Sequence, residues 1–465
     1  MRPFFFLTLL LLFSKLLSAQ DISGDWHGSL EVMGSKLPLV FHLEATDDGY
    51  TATLDSPDQL AFGIPVETVS YEAPDLSLKL PALKAEYRGT YREADQFFDG
   101  VFEQSGMSFP LELRREAAEA ATPQRPQHPT PPFPYRVEQL TFDHEAAGIT
   151  LAGTLTLPAG KGPFPAAVLI SGSGPQNRNE ELMGHKPFLV IADYLTRRGI
   201  AVLRYDDRGV GASGGDFAGA TSQDFAGDAR AAVDFLKERP EIASDKIGLI
   251  GHSEGGLIAP LVAARSPNAI AFLVLLAGPG VRGDQIILRQ QSLIAEADGR
   301  SEEVIQLNQE FLREAFKLMS AGNNEVEAKA NLAPLLKQVL QASSPNGETP
   351  SPDQVAQQLD ALFSPWFRHF ATYDPAPTLA EVRCPVLALN GAKDLQVDPG
   401  QNLPAIETAL KEGGNPDFSV QSLPGLNHLF QHAATGSPSE YARIEETFAP
   451  EALELITAWI SERAN

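Results

Sequence analysis

The stretch IGLIGHSEGG, residues 247–256, reads as a strand that runs into a sharp turn at a serine. KIGLIG (246–251) has the short apolar run of a buried strand, and GLIAPLVAARS (256–266) has the composition of a helix. Ser253 stands between them, flanked at G-x-S-x-G spacing by Gly251 and Gly255. A strand–turn–helix context of this kind lifts the serine oxygen above a sheet, and the glycines leave room for it. The same spacing recurs at Gly211, Ser213 and Gly215 in GVGASGG (209–215). There the serine lies inside a glycine-rich loop, beyond its strand, and no helix begins at it. Ser253 is the candidate nucleophile.

Working outward, strands and helices alternate from Arg136 onward, the mark of a largely parallel sheet covered on both faces. The strand-like runs are FPAAVLIS (164–171), GIAVLRYD (199–206), KIGLIG, AFLVLLAG (271–278), CPVLALNG (384–391) and FSVQSLPG (418–425). Between the fourth and fifth lies a long stretch of helical character, including EEVIQLNQEFLREAFKLM (302–319) and PDQVAQQLDALF (352–363). Insertions of that size are usually functional, and a helical cap over about 281–375 is expected. A helical oligomerisation face is the alternative.

A serine hydroxyl is a poor nucleophile until a positioned base takes its proton, and that base needs an acid to fix its tautomer. In this architecture the order along the chain is serine, acid, histidine. LALNGAKDLQV (387–397) ends a strand and places Asp394 in the following loop; LPGLNHLFQ (423–431) does the same for His428. Asp398 and His432 are the competing acid and base. His428 and His432 also have i,i+4 spacing, but the adjacent Glu of H-E-x-x-H is missing, so no metal is expected. Acyl transfer further needs donors for the developing oxyanion. The N–H of Glu254 directly follows the nucleophile, and ISGSGPQNRNE (170–180) offers the N–H of Ser173, with Gly174 next. Asp206, Asp207 and Arg208 read as loop braces, His252 as a packing or tuning residue, His185 as a pocket-lining candidate and Cys384 as a buried apolar residue.

Residues 20–116 have a different texture. LPLVFHLEA (37–45) alternates Leu37, Leu39, Phe41, Leu43 and Ala45 on one face, and MSFPLELRR (107–115) repeats the pattern. Seven or eight such strands imply a small antiparallel barrel or sandwich. ATPQRPQHPTPPFP (121–134) carries six prolines, so 117–135 is expected to be an extended linker. At the start, MRPFFFLTLLLLFSKLLSAQ has the charged, apolar and small-residue regions of a secretory leader cut after Ala19. Its apolar run is short for a membrane span. An exported protein with no membrane anchoring after cleavage is expected. The lone cysteine rules out an intrachain disulfide, and a chain of 465 residues can bury a core without one. A net charge of −24 disfavours nucleic acid as a partner.

From Arg136 to the end the chain resembles the α/β-hydrolase superfamily. It looks most like exported bacterial esterases of the esterase D type, grouped with serine aminopeptidase-like hydrolases. The motifs that carry the resemblance are SGSGPQNRNE (171–180), RYDDRGVGASGG (204–215), GHSEGG (251–256), NGAKDLQV (390–397) and LNHLFQ (426–431). The resemblance implies a triad of Ser253, Asp394 and His428, with an oxyanion hole at Ser173 and Glu254. One departure is Ser171-Gly172, where many relatives have His-Gly. The expected activity is hydrolysis of small-molecule carboxylic esters through an acyl-serine, with no cofactor. The alternatives are a serine peptidase acting on short peptides or amides, and a binding protein whose hydrolase domain is vestigial.

Overall fold

The computed structural model describes residues 21–32, 35–46, 49–56, 61–104, 107–115, 124–322, 324–344 and 349–464. The leader expected over residues 1–19 lies outside them. The chain divides into two compact units, Met1–Thr122 and Pro123–Asn465.

Among the described residues the first unit has nine strands: β1 (Gly24–Val32), β2 (Ser35–Thr46), β3 (Gly49–Ser56), β4 (Ala61–Val66), β5 (Thr68–Glu72), β6 (Asp75–Leu80), β7 (Ala85–Arg92), β8 (Phe97–Gln104) and β9 (Met107–Arg114). They form one antiparallel sheet in the order β4-β3-β2-β1-β9-β8-β7-β6-β5. Pairing of the first strand with the last rolls the sheet toward a barrel. The expected seven or eight strands fall short because β4 and β5 are separated by Glu67 alone and read as one run. Period-two alternation fills the interior: Leu39, Phe41 and Leu43 of β2, Tyr87 of β7, Phe98 and Phe102 of β8 are all buried. Trp26 packs edge-on to Phe98 at 4.7 Å and donates its indole N–H to the Ile22 carbonyl at 2.8 Å. A buried indole needs such a partner.

The second unit runs β10 (Arg136–His144), β11 (Ile149–Leu157), β12 (Phe164–Ile170), α1 (Pro187–Thr196), β13 (Ala201–Tyr205), α2 (Ser222–Lys237), β14 (Ile242–His252), α3 (Gly255–Arg265) and β15 (Leu273–Leu276). Helices α4 (Gly283–Ala297), α5 (Glu302–Ser320), α6 (Glu325–Ser343), α7 (Pro352–Leu362), α8 (Pro365–Thr372) and α9 (Ala376–Glu381) follow, then β16 (Val386–Gly391), α10 (Pro399–Glu412), β17 (Phe418–Leu423) and α11 (Pro450–Ala464). The sheet order is β10-β11-β13-β12-β14-β15-β16-β17, antiparallel as far as β13 and parallel thereafter. Strand β12 shows why both faces are covered. Its Ala166, Val168 and Ile170 join one apolar core and its Ala167 and Leu169 the other. Strands buried on both sides read as continuous apolar runs rather than alternations.

The proline-rich segment is docked along the second unit from Gln124 onward. Prolines remove main-chain donors, and side chains make the attachment instead. Arg125 donates to the carbonyls of Met183, Ala442 and Ile444, and Gln127 clamps the main chain of Thr447 and Phe448. The loops after β12, β14, β16 and β17 open at the carboxyl ends of the parallel strands, where such sheets bind ligands.

Candidate active site

Ser253 follows β14 and precedes α3, and its φ of +51° is a left-handed value rare for a side-chain-bearing residue. Crowding explains the flanking glycines. A Cβ on Gly251 would come within 2.0 Å of the Gly255 carbonyl oxygen, and one on Gly255 within 2.1 Å of the Ile170 carbonyl oxygen. The turn is that tight because it fits between two strands and a helix. Strain of this kind is held where the surroundings over-determine the conformation.

Asp394, in the loop after β16, is buried and faces His428, in the loop after β17: Oδ2 lies 2.8 Å from Nδ1. The other carboxylate oxygen accepts the main-chain N–H groups of Gln396 and Val397 at 2.8 and 2.9 Å. An acid fixed this way presents one oxygen to the imidazole and holds Nδ1 as the protonated nitrogen, leaving Nε2 as the acceptor. Among the described residues neither His428 Nε2 nor Ser253 Oγ has a hydrogen-bond partner. Contacts between such groups often tighten only on substrate binding.

The loop after β12 closes on the serine. A Cβ on Gly172 would sit 3.1 Å from the Ser253 Cβ. The Gly172 N–H is consumed by Glu180 Oε1 at 2.7 Å, whereas the N–H groups of Ser173 and Glu254 have no acceptor among the described residues. The loop is shaped by buried carboxyls. Asp207 meets the Ser171 hydroxyl at 2.7 Å and the Gln176 N–H at 3.0 Å, and Asp206 takes the Arg178 main chain and guanidinium. Burial pushes the Asp207 carboxyl up to about 8, helped by the nearby Glu254 and Glu180 charges and opposed by its two donors.

His252 lies beneath the site, its ring 4.8 Å from that of His428. Burial disfavours its charge, but Glu180, the hydrogen bond to it and Asp394 outweigh that and raise its pKa above the ordinary histidine value. Glu254 is 2 % exposed, and burial pushes its carboxyl upward against hydrogen bonds from Ser222, Trp366 and Ser173.

The competitors are occupied elsewhere. Ser213 is buried, donating to the Asp206 carbonyl at 2.7 Å and accepting the Ala152 N–H at 2.9 Å. Asp398 caps α10 through Gly400 and pairs with Arg289 at 2.6 Å. His432 is 56 % exposed and pairs with Glu446 and Glu451. His428 and His432 therefore do not converge as metal ligands. His185 does not line the serine. It is wholly buried between the Tyr441 carbonyl and the Thr447 hydroxyl, and burial holds its ring down to about 4. Cys384 is buried, with its thiol pushed up to about 12 by desolvation. Sequence reasoning missed Glu180, whose carboxylate joins Gly172 to His252. Only its place at the end of the motif SGSGPQNRNE marked it.

A family model described as serine aminopeptidase, S33, matches residues 186–347, which include Ser253 but stop short of Asp394 and His428. Esterase EstD of Thermotoga maritima is 30 % identical over 295 residues, 63 % of this chain and 61 % of that one. The chain thus spans about three fifths of that relative's length. Among solved structures, the esterase Pf2001 of Pyrococcus furiosus aligns with a TM-score of 0.44 at 15 % identity, covering 71 % of this chain and 92 % of that one. Est1E of Butyrivibrio proteoclasticus, with ferulic acid bound, aligns with a TM-score of 0.40 at 19 % identity over 70 % and 96 %. With this sheet order and a serine at the turn after β14, the chain has an α/β-hydrolase fold, and parts of it are similar in sequence to the serine aminopeptidase S33 model and to an esterase.

Proposed function

We propose that the protein is a serine hydrolase that cleaves carboxylic esters of small molecules through an acyl-serine intermediate. The observation that carries this reading is the gathering of a strained Ser253, a His428–Asp394 pair and two unclaimed N–H groups at one edge of the sheet. In the proposed mechanism, His428 Nε2 takes the Ser253 proton as Oγ adds to the ester carbonyl. The N–H groups of Ser173 and Glu254 receive the oxyanion, and Asp394 stabilises the imidazolium. His428 then protonates the departing alcohol, and water attacks the acyl-serine in the reverse sense. No cofactor takes part in these steps. The helices between β15 and β16 act as the cap over the site.

The peptidase reading keeps support from the S33 match. A group to hold a peptide's free amine is the added requirement. Glu254, the buried acid next to the serine in sequence, already takes hydrogen bonds from Ser222 and Trp366, so it does not serve as that clamp. Export rests on the leader pattern, and fractionation of the expressing cell tests it. Hydrolysis of p-nitrophenyl esters from acetyl to lauroyl, beside aminoacyl anilides, tests the activity. Faster ester turnover supports the proposal. Faster anilide turnover moves the protein to the peptidases, and no turnover by folded protein points to the binding-protein alternative.

A further inference from the structure

Residues 441–449 lie against both of the loops that carry Asp394 and His428. At one end Tyr441 is buried, and its hydroxyl accepts the side-chain N–H of Gln396 at 2.9 Å. The main-chain N–H of Gln396 is one of the two donors that fix Asp394 Oδ1. At the other end the Phe448 ring stacks on Phe430, centroids 5.2 Å apart and planes 12° from parallel, and the Ala449 N–H donates to the Phe430 carbonyl at 2.8 Å. Phe430 stands just past His428 with a φ of +59°, a left-handed value that a side-chain-bearing residue keeps only where its surroundings hold it. His185 joins the two ends from inside, between the Tyr441 carbonyl at 2.9 Å and the Thr447 hydroxyl at 3.2 Å.

The proline-rich stretch holds the same residues from the other side. An irregular segment has no ladder for its carbonyls and must find donors elsewhere. Arg125 supplies them to Ala442 at 3.1 Å and Ile444 at 2.5 Å, and to Met183 at 3.0 Å. The Gln127 amide pairs with Phe448 as a neighbouring strand would. It accepts the Phe448 N–H at 3.0 Å, donates to the Phe448 carbonyl at 2.6 Å and also accepts the Thr447 N–H at 2.6 Å. Arg125 is thus fastened beside Tyr441, which serves the acid loop, and Gln127 on Phe448, which serves the histidine loop. A proline-rich spacer needs no attachment of this kind.

We propose that Arg125 and Gln127 are positioning residues for the reaction: by fixing residues 441–449 they hold the Asp394 and His428 loops at one spacing, and the proline-rich stretch belongs to the catalytic apparatus. The proposal rests on the hydrolase reading above. Loss of Gln127 frees the Phe448 main chain and with it the support of Phe430. Loss of Arg125 frees the stretch beside Tyr441 and with it Gln396. Either change lets the acid and base loops shift against each other, which slows proton transfer and spares the binding of substrate.

The test uses the full chain, a p-nitrophenyl ester and a fluorophosphonate that counts reactive Ser253, so that kcat is expressed per labelled site and unfolded protein drops out. Misplacing reacting groups by about 1 Å can cost about 10²-fold in rate, so the partial release in Gln127→Ala or Arg125→Ala is expected to lower kcat about tenfold. KM should stay within about twofold, the mark of an interaction that acts on the transition state. Arg125→Lys offers three donors to the same three carbonyls and should keep kcat within about threefold. Gln127→Glu keeps both acceptor bonds and loses the one to the Phe448 carbonyl. Its kcat should fall between wild type and Gln127→Ala, and it carries the test where Gln127→Ala is not recovered folded. The control is Arg239→Ala, which breaks an anchor to Glu138 and Glu241 before β14. It should lower the melting temperature and leave kcat within about twofold. Unchanged kcat in the Gln127 variants, or an equal loss in Arg239→Ala at an equal melting temperature, overturns the proposal. Wild type that takes no label at Ser253 overturns the hydrolase reading and this proposal with it. Labelled wild type with insensitive Gln127 variants overturns this proposal alone.

Discussion

His252 presents Nε2 to the main-chain carbonyl of His428 at 3.0 Å while its Nδ1 faces Glu180 Oε1 at 2.9 Å. A carbonyl only accepts, so Nε2 carries a proton; a carboxylate on the other side favours a second proton on Nδ1. Glu180 Oε1 also takes the Gly172 N–H at 2.7 Å. One buried chain of hydrogen bonds therefore runs from the loop that faces Ser253 to the loop that carries His428.

Replacing His252 by Gln leaves a donor for the His428 carbonyl but removes the charge that pairs with Glu180. Because the folded-state pKa of His252 is raised, its stabilisation is complete below the ordinary histidine value of 6.5 and is lost as pH rises through the folded value. The wild type should lose stability from this group as pH rises across that window, and His252→Gln should not. Chemical denaturation at pH 6, 7 and 8 checks this. Parallel curves for the two proteins would remove the charged pair from the account.

Asp207 gives a second, separable window. Its carboxyl is raised to about 8 from an ordinary 3.8, so folded protein holds a proton that unfolded chain has lost. Stability from this group falls as pH rises from about 4 and levels off above about 8, by ~1.4 kcal/mol per unit. Asp207→Asn mimics the neutral acid and can still meet both Ser171 and Gln176. Expected is a variant with a flatter stability–pH curve and a higher melting temperature than wild type at pH 8. A lower melting temperature at pH 8 would show that Asp207 is needed as an anion.

The two G-x-S-x-G serines should separate cleanly. Ser213→Ala removes a buried hydroxyl that both donates and accepts, and should cost about 1–3 kcal/mol of stability with turnover per folded molecule kept within about twofold. Ser253→Ala should leave the melting temperature nearly unchanged and lower ester turnover by about 10³-fold or more. Melting curves and initial rates on both variants decide it.

The acids are tested in the same way. Asp394→Asn should lower kcat by about 10⁴-fold, because an amide favours the wrong tautomer of His428. Asp398→Asn should change kcat less than about threefold; an asparagine still caps α10, so the loss is that of the Arg289 ion pair, about 1 kcal/mol or less. Comparable losses of kcat in both variants would reopen the choice of acid.

Much of the architecture was legible because its signals are local. The continuous apolar runs of β12 to β16 are what a doubly covered parallel sheet demands, and the Gly-Ser-Gly spacing at 251–255 answers a crowding that only glycine tolerates. Chain order then picked out Asp394 and His428, which the fold brings to 2.8 Å. The long-range carboxyl network was not legible. Glu180 acts across 72 residues on His252, and Trp366 across 112 residues on Glu254. No periodicity or spacing encodes such pairs, since they depend on how loops from distant strands fold over one another. The docking of the proline-rich segment was hidden for the same reason, because Arg125 and Gln127 reach residues more than 300 positions away.

Trapping the intermediate tests the central claim most directly. Full-length protein is mixed with a p-nitrophenyl ester, quenched in acid within the first turnover, digested and mapped by mass spectrometry. The expected result is one acyl group on the peptide that contains Ser253, with none on the peptide that contains Ser213. Turnover of the ester with an acyl group found elsewhere, or undiminished turnover by Ser253→Ala, would contradict the assignment of Ser253 as the nucleophile.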